Sequence, residues 1–318
     1  MADIDIKIFD THCDTIYECF VKNKSLYDND LDFSLKKASE YNRYVQVFAI
    51  WMPDDLRGEA ARGHYGRCLL KYQSELEQNN GLMNSFTDDK RVLKEAWDED
   101  KDEKITAVLA VEGGSVIAGN TDNLKALAED GVKIITLTWN KENELGCGCF
   151  CENDTGLTEI GKKTVAEMNK QNIIVDVSHL SEKGFYDVVN KSKKPFIASH
   201  SNAWEVCNNP RNLKKEQIKE IININGLIGL NYYKKFITHS EQVTLDDLYN
   251  HVIYFLQMGA QKNLCLGSDF DGAQMPDDLN SADKLGAFYE FLIDKGIPQN
   301  TVDDIFWKNA QSFFYNFF

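Results

Sequence analysis

The sequence predicts an α/β fold: a (β/α)8 TIM barrel with extra helices inserted after the second strand, in a single domain over residues 1–318. Two observations predict it, namely eight short, nearly continuously apolar segments rich in Val, Ile and Leu, and the helical patterns between them. Strands buried on both faces of a parallel sheet have this composition, whereas half-exposed antiparallel strands alternate apolar and polar residues. No linker rich in Pro or Gly divides the chain, so one closed barrel fits better than two domains.

The individual elements follow from local patterns. The predicted strands span residues 6–10, 45–51, 105–111, 133–138, 173–178, 195–199, 227–232 and 264–268. From Leu157 to Gln171, apolar side chains recur on one face of a helix. Thr244 and Asp247 form a capping pair that begins another helix, just before the last strand. The polar, helix-prone stretch 53–104 is predicted to add the extra helices.

Charge and composition exclude several kinds of partner. A net charge of −15 argues against nucleic acid, because phosphate binding depends mainly on Lys and Arg. No run of about 18 apolar residues predicts a membrane span, and the start, MADIDIKIFD, lacks the pattern of a secretory signal. We therefore expect a cytoplasmic protein without a membrane partner, and a homodimer stays open. The eight cysteines are expected to be mostly reduced thiols.

Polar residues gather where the predicted strands end, on the face at which barrel enzymes carry their active groups. The sequences at these ends are DTHCD (10–14), EGG (112–114), DVSH (176–179), SHS (199–201) and GSDFDG (267–272). His12 and Asp14 are two residues apart, so on an extended chain they project to the same side and can reach one ion. Such a pair alone is a weak signal, but together with Glu112, His179 and His200 it predicts a metal site.

Imidazole and carboxylate groups suit Zn²⁺, and five such ligands on four strands exceed what one tetrahedral site needs. Two Zn²⁺ per chain are therefore predicted, with Glu112 as the bridge because a carboxylate offers two oxygens. The alternative for Glu112 is an ion pair inside the barrel, but an unpaired carboxylate directly after an apolar strand would be costly. Asp269 is left to move a proton to or from an activated water. Its neighbour Asp271 could instead cap a helix.

Other candidate groups have simpler interpretations. The remaining histidines, expected to be structural or solvated, are His64, His239 and His251. Cys147, Cys149 and Cys151 alternate along the chain, unlike the usual C-x₂-C metal hook, and Cys149 would face away from the other two. An incidental loop is favoured there over a metal site or a redox module. The aromatic end of the chain, FWKNAQSFFYNFF, is expected to pack in the core or at an interface.

Taken together, these motifs resemble those of the membrane dipeptidase family, also called renal dipeptidases, within the amidohydrolase superfamily. The matching segments, spread over nearly the whole chain, are DTHCDT, AVEGG, DVSH, SHSNAWEVCNNPRN and GSDFDG. The resemblance implies that His12, Asp14 and Glu112 hold one zinc ion. It implies that Glu112, His179 and His200 hold the other.

The resemblance also implies a catalytic group and substrate contacts. Asp269 corresponds to the catalytic acid or base, and Arg211, after the sixth strand, to the residue that binds the substrate's terminal carboxylate. Mammalian members carry a substrate-contacting histidine after the fourth strand, where this chain has Trp139, whose indole only donates a hydrogen bond. Trp139 and Tyr233 are assigned here to substrate binding.

We therefore predict a binuclear zinc dipeptidase of the cytosolic bacterial type, in which a metal-activated water cleaves the amide bond of a small dipeptide. One alternative is a related barrel hydrolase that acts on a lactam, an N-acyl amino acid or another small amide. Another is a metal-binding protein that has lost catalysis, through Trp139 for example. The intact Asp269 argues against that second alternative.

Overall fold

The computed structural model describes residues 6–97 and 105–318, which form a parallel barrel surrounded by helices. The strands are β1 (Lys7–Cys13), β2 (Arg43–Trp51), β3 (Met83–Ser85), β4 (Ile105–Glu112), β5 (Val132–Thr136), β6 (Ile174–Asp176), β7 (Ile197–Ala198), β8 (Leu227–Leu230) and β9 (Leu264–Leu266). The α-helices are α1 (Thr15–Val21), α2 (Leu35–Ala38), α3 (Gly58–Gln78), α4 (Lys90–Ala96), α5 (Asn123–Glu129), α6 (Glu159–Lys170), α7 (Glu182–Lys191), α8 (Lys215–Asn223), α9 (Lys234–Ile237), α10 (Leu245–Gln257), α11 (Leu285–Asp294), α12 (Gln299–Asp303) and α13 (Asn309–Phe317). A π-helical segment, Asp304–Lys308, joins the last two helices.

Eight of the strands close into a ring. Around it the order is β1, β2, β4, β5, β6, β7, β8 and β9, and β9 pairs again with β1. Closure depends on the parallel pairing of β2 with β4, which runs from Tyr44 beside Ile105 to Trp51 beside Glu112. All the strands therefore direct their carboxyl ends to one rim, and the predicted (β/α)8 barrel is confirmed.

The insertion after the second strand is not purely helical. Helices α3 and α4 lie there as predicted, but β3 lies between them and pairs with the start of β4, from Met83 beside Ile105 to Ser85 beside Ala107. The prediction of helices alone was therefore incomplete. Three residues, of which only Met83 is buried, leave no period from which a strand could be inferred. The predicted insertion also covers residues 98–104, which lie outside the described residues.

The strands end at different residues from those predicted. β1 continues through His12 beyond its predicted end at residue 10, whereas β6 ends at Asp176, short of residue 178. At that point Asp176 Oδ1 accepts hydrogen bonds from the backbone N–H groups of Ser178 (3.0 Å) and Ser199 (2.9 Å). A side chain thus replaces the strand partner, so the chain leaves the sheet just where the candidate site begins.

The two helices predicted from sequence are present, with one shift in bounds. The Thr158 hydroxyl accepts a hydrogen bond from the Gly161 N–H at the start of α6, so Leu157 lies outside the helix that it was predicted to begin. The predicted capping pair at the start of α10 is confirmed, because Asp247 Oδ2 accepts a hydrogen bond from the Thr244 N–H (2.9 Å).

Side chains fill the barrel interior. Every second residue of β2, namely Val45, Val47 and Ala49, belongs to this inner cluster. At the end opposite the polar rim, Phe9 packs on Phe314 of α13 with 4.7 Å between ring centroids, so the aromatic end of the chain packs in the core. Among the described helices, none has the length and apolar character needed to cross a membrane.

Candidate metal centre

The six residues predicted to carry the chemistry all lie at the rim formed by the carboxyl ends of the strands. Their positions are His12 within β1, Asp14 just before α1, Glu112 at the end of β4, His179 after β6, His200 after β7 and Asp269 after β9. Each is buried, with at most 8% of its surface exposed. The fold therefore brings together groups that are up to 257 residues apart, the separation of His12 and Asp269, around one point.

Glu112 lies at the centre of the cluster. Its Oε1 is 2.7 Å from His179 Nε2, 3.4 Å from His200 Nε2 and 3.9 Å from His12 Nε2. On the far side, His12 Nε2 is 3.5 Å from Asp14 Oδ2. Two groups with the spacing of metal ligands result, one of His12, Asp14 and Glu112 and one of Glu112, His179 and His200. The carboxylate of Glu112 belongs to both groups.

Hydrogen bonds fix the tautomers of two of these histidines. Ser199 Oγ donates to Asp176 Oδ2 (2.7 Å), so the proton between Ser199 Oγ and His200 Nδ1 (2.7 Å) belongs to the imidazole. Likewise His179 Nδ1 donates to the amide oxygen of Asn140 (3.0 Å). Both Nε2 atoms therefore present lone pairs, and they face each other at 3.0 Å. Partners of this kind orient imidazole ligands in metal sites.

These donor atoms fit divalent cations. Lone pairs on His179 and His200 and an oxygen of Glu112 lie within 3.4 Å of one another, an arrangement that repels without a positive charge between the atoms. On the other side, His12 Nε2 and Asp14 Oδ1 are buried and have no hydrogen-bond partner among the described residues. Buried polar atoms without partners are costly, and coordination to a cation removes that cost at both places.

The pKa values of the three histidines in the cluster are all shifted from the ordinary value of imidazole. Burial alone would lower the pKa of His12, but the charges of Glu112, Asp14 and Asp269 outweigh it and raise that pKa to about 10. Burial also lowers the pKa of His179 and of His200 well below the ordinary range of imidazole, which keeps both rings neutral and able to act as ligands.

The carboxyl groups shift in the opposite direction. Burial, with the nearby charge of Glu112, raises the pKa of Asp14 to about 6. Burial, reinforced by Asp14 and Glu112, raises the pKa of Asp269 to about 7. A carboxyl group that titrates near neutrality can both accept and donate a proton at the working pH of most enzymes.

Asp269 is held in place by its neighbours. Its Oδ2 accepts a hydrogen bond from the side-chain amide of Asn231 (3.0 Å), and its backbone N–H donates to the carbonyl of His12 (3.1 Å). With His12 and His200 it also forms a third group with the spacing of metal ligands. The geometry therefore places Asp269 beside the metal cluster, where it can exchange a proton with a bound water or contact a cation.

Local backbone conformation also marks this rim. His179, Asp269 and Asp271 have φ values of 67°, 65° and 68°, in a left-handed region that non-glycine residues rarely adopt. Gly272 leaves room for two carboxylates, because a Cβ there would lie 2.7 Å from Asp269 Oδ1 and closer still to Asp14 Oδ2. The GSDFDG motif thus combines a strained turn at Asp269 and Asp271 with a glycine at position 272, where a larger residue would clash.

A cavity of about 490 Å³ opens onto the cluster, with Asp14, Glu112, His179 and Asp269 in its wall. Its aromatic lining residues are Tyr17, Trp51, Trp139, Phe150, Tyr233 and Phe236. Trp139 and Tyr233, both assigned to substrate binding from the sequence, therefore lie in the cavity that leads to the cluster. Both are half-buried, so their rings are available to a bound molecule.

Arg211 lies behind this cavity and lines an adjacent one of about 330 Å³ that shares His179 with the first. It is 3% exposed, donates from Nη2 to the carbonyl of His200 (3.2 Å), and faces the Phe236 ring at 5.1 Å. Its Nε has no hydrogen-bond partner among the described residues, and no carboxylate in that part of the chain lies within ion-pair distance. Arg211 is thus a buried cation for which the described residues provide no ion-pair partner.

The groups given simpler interpretations lie outside the cluster. His251 in α10 accepts a hydrogen bond from the Ala203 N–H at Nδ1 (3.1 Å) and donates from Nε2 to the Ile237 carbonyl (2.8 Å). Asp271 accepts hydrogen bonds from the Thr15 hydroxyl (2.5 Å) and from the Asp32 N–H (2.7 Å). Its carboxylate therefore joins the start of α1 to the loop before α2.

The three clustered cysteines are free thiols in a loop next to His179. Cys147 Sγ lies 3.2 Å from Thr155 Oγ1, and the Cys149 N–H donates to the His179 carbonyl (2.7 Å). None of the three belongs to a group with metal-ligand spacing among the described residues. The loop interpretation therefore agrees with their positions.

Sequence reasoning missed several residues that shape the site. Asn140 and Asn231 orient His179 and Asp269, and Tyr17 and Trp51 line the cavity. Asn231 directly follows β8, so its position at a strand end could have identified it. Asn140 lies in a loop, Tyr17 in the short helix α1 and Trp51 at the end of β2, where the pattern of the sequence carries no comparable signal.

Comparison with known proteins identifies the family. The sequence model of the membrane dipeptidase family, peptidase family M19, matches residues 3–315. The chain belongs to this family. Membership makes it a metal-dependent peptidase, a hydrolase of peptide bonds, as the resemblance implied.

The curated relatives are themselves little described. An uncharacterized protein in the pqqA 5' region of Klebsiella pneumoniae is 30% identical over 220 residues, 66% of this chain and 81% of that protein. An uncharacterized dipeptidase of Schizosaccharomyces pombe is 30% identical over 211 residues, 65% of this chain. A second dipeptidase of that yeast is 31% identical over 188 residues, 57% of this chain. The matches span 52% and 45% of the two yeast proteins, about half of their length.

Solved structures share the fold over its whole extent. The metallo peptidase from Rhodobacter sphaeroides, liganded with a phosphinate mimic of the dipeptide L-Ala-D-Ala, has a TM-score of 0.90 at 22% identity, covering 99% of this chain and all of that one. The dipeptidase AC, a metallo peptidase of family M19, has a TM-score of 0.89 at 23% identity, covering 98% of each chain. At these identities the likeness supports the fold alone.

Proposed function

We propose that the protein is a binuclear zinc dipeptidase. The observation that supports this most directly is the shared position of Glu112, whose carboxylate belongs to two separate groups of buried metal-ligand atoms. A single tetrahedral site needs three or four ligands, and here five are present with one in common. His12 and Asp14 would hold one cation and His179 and His200 the other, with Glu112 contacting both.

When bound, such a pair of cations polarises a carbonyl oxygen and lowers the pKa of water toward neutrality. The protein supplies the positioning around that chemistry. Asn140 and Ser199 hold the rings of His179 and His200 in the tautomers that leave Nε2 free. Burial of all these groups keeps bulk water away and strengthens the interactions among them.

Asp269 carries the proton in this proposal. Its pKa of about 7 allows it to take a proton from the attacking water and to give it to the departing amine. The hydrogen bond from Asn231 to Oδ2 leaves Oδ1 for this exchange. Proton transfer from a positioned group typically accelerates such reactions by about 10²–10⁴-fold.

Arg211 selects the substrate in this proposal. A buried guanidinium without an ion-pair partner among the described residues is a site for a carboxylate. Two parallel hydrogen bonds from the guanidinium to the carboxylate would offset the free-energy cost of burying the charge. A dipeptide has its terminal carboxylate close to the scissile amide, whereas a longer peptide places that group farther away. This geometry favours dipeptides over longer chains.

Metal analysis combined with a substrate panel tests the proposal. Purified in buffer that contains zinc, the protein should hold close to two ions per chain and hydrolyse dipeptides. The substrate panel should include dipeptides whose carboxyl-terminal residue is L and dipeptides in which it is D, since the Rhodobacter sphaeroides structure is liganded with a mimic of L-Ala-D-Ala. A metal content near zero, or hydrolysis of lactams or N-acyl amino acids but no dipeptide, would contradict it.

Arg211→Ala provides the sharper test of substrate selection. It should reduce kcat/KM for a dipeptide by roughly 10²–10³-fold, as expected for a lost charged hydrogen-bonded pair of about 3–4 kcal/mol. It should reduce kcat/KM far less for the C-terminal amide of the same dipeptide. Lys235→Ala is the matched control, because Lys235 is an exposed cation that also lines the cavity. Equal losses on the two substrates would show that Arg211 does not recognise the terminus.

A further inference from the structure

Three aromatic side chains form a continuous wall along one side of the cavity. Tyr17 and Trp51 lie with ring centroids 5.1 Å apart, and Trp51 and Trp139 with centroids 4.9 Å apart, both in edge-to-face geometry. Trp139 continues to the ligand His179, with 6.2 Å between centroids. We call Tyr17, Trp51 and Trp139 the aromatic wall. It is half-buried and begins beside the metal cluster.

The ring order of the strands fixes where this wall lies relative to Arg211. Trp51 ends β2 and Trp139 follows β5, the two neighbours of β4 in the barrel. Tyr233 and Phe236 follow β8, which is four strands from β4 in either direction around the ring. The aromatic wall and the Phe236 ring that faces Arg211 therefore stand on opposite sides of the cavity mouth.

This opposition gives a bound dipeptide a direction. Arg211 lies in the loop after β7 and faces Phe236 of α9, the helix that follows β8. With the carboxylate of the dipeptide at Arg211 and its amide at Glu112, the carboxyl-terminal residue lies on the side of β7 and β8. The amino-terminal residue then lies on the side of β2 and β5. The side chain that meets the aromatic wall is therefore that of the amino-terminal residue.

We infer that the aromatic wall is the specificity-determining surface for the substrate's amino-terminal residue, and that it selects dipeptides that begin with an aromatic or bulky apolar side chain. This inference rests on the proposed dipeptidase function. Trp139 is central to it, because its ring continues the wall from Trp51 to the candidate ligand His179.

The expected size of the preference follows from burial. Full burial of a side chain such as Phe is worth an amount that corresponds to roughly 10–100-fold in kcat/KM over Ala. Edge-to-face contacts between aromatic rings add to the effect of the buried area. The preference should act on the first residue and not on the second, because only the first faces the wall.

The experiment compares the dipeptides Phe-Ala, Ala-Phe and Ala-Ala. Their second residue has the configuration, L or D, that the protein cleaves in the substrate panel described above. The wild-type protein should prefer Phe-Ala over Ala-Ala by roughly 10–100-fold in kcat/KM. Trp139→Ala should reduce that ratio to about 3 or less, because it should lose more kcat/KM on Phe-Ala than on Ala-Ala. Trp139→Phe should keep most of the preference. Tyr315→Ala, which removes an exposed ring of α13, is the matched control.

The outcomes separate this inference from the function on which it rests. Hydrolysis of Ala-Ala and Phe-Ala at equal rates by the wild-type protein would overturn the inference and leave the dipeptidase proposal intact. Equal losses on both substrates in Trp139→Ala, with metal content retained, would also overturn it. No hydrolysis of any dipeptide by the zinc-loaded protein would remove the proposed function, and the inference with it.

Discussion

At the scale of single residues, burial decides the chemistry of the candidate site. His12 and Asp14 are almost fully buried, yet each has a side-chain atom without a hydrogen-bond partner among the described residues. Such a cluster forms only when the surrounding fold holds the groups together. The positive φ angles of His179 and Asp269 are a sign of this, because the fold keeps both residues in a strained backbone conformation. The residues of this cluster could be selected from the sequence, because charged groups rarely follow buried strands without a function.

Asp269→Asn tests the role of the carboxyl group without changing its shape. The variant keeps an acceptor oxygen for the Asn231 amide but cannot carry a proton, so kcat should fall by roughly 10²–10⁴-fold. Metal content should stay near that of the wild-type protein. Steady-state kinetics with elemental analysis on the same samples measures both quantities. Loss of one metal ion would instead assign Asp269 as a ligand with His12 and His200, and unchanged turnover would make it structural.

At the scale of elements, the barrel strands were predictable and the loops were not. Seven of the eight predicted strands differ from the observed ones at their carboxyl ends. β6 ends early because the side chain of Asp176 takes over hydrogen bonds of the sheet. The pattern of apolar residues predicts which residues are buried. It does not predict where a side-chain carboxylate takes the place of a neighbouring strand and ends the sheet. Asn140 was missed because the path of a loop leaves no periodic pattern in the sequence. Tyr17 was missed because it lies in α1, a helix of 7 residues that is too short to show a clear period.

Helix α10 holds two of the segments that carry the proposed substrate-binding residues. His251 of α10 accepts a hydrogen bond from Ala203, in the loop that leads to Arg211. It donates to Ile237, which ends the short helix after Tyr233. Only the neutral imidazole can make both bonds, because one ring nitrogen must accept and the other must donate. The ring is fully buried, so protonation would charge it in an apolar environment.

His251 should therefore make stability depend on pH. Burial lowers its pKa from the ordinary 6.5 to about 4, so the unfolded chain binds the proton more tightly than the folded one. The stabilisation is fully present above about pH 6.5 and is lost as the pH falls toward 4. Between pH 7.5 and pH 5 the free energy of unfolding should fall by about 2 kcal/mol from this group.

Comparison of the wild-type protein with His251→Gln isolates this contribution. The glutamine amide can donate and accept but does not titrate, so the variant should lack this part of the pH dependence. Denaturant unfolding at pH 7.5 and pH 5 measures the difference between the two proteins. If that difference is the same at both pH values, His251 is not the titrating group.

At the scale of the whole molecule, the fold concentrates negative charge at one rim. The chain has a net charge of −15, and three buried carboxyl groups, those of Asp14, Glu112 and Asp269, lie together in the cluster. Aromatic packing at the opposite end of the barrel, around Phe9 and Phe314, contributes core stability without such a cost. In the metal-free protein the carboxyl cluster at the rim should therefore be destabilising, whereas the aromatic core at the opposite end is stable. Bound cations should raise the stability of the folded protein as well as activate it.

Removal of the metal tests this coupling between binding and stability. Ligand that binds only the folded state stabilises it by about 4 kcal/mol at a thousand times its dissociation constant, which for a chain of this size corresponds to roughly 5–10 °C in Tm. A chelator should therefore lower the Tm of the wild-type protein by about that amount, and zinc should restore it. Glu112→Gln is the matched control, because it removes the shared negative charge and weakens both sites. Its metal-free form should melt no lower than metal-free wild-type protein, with a much smaller response to zinc. A wild-type Tm that does not change after verified metal removal would show that the cluster is stable without cations.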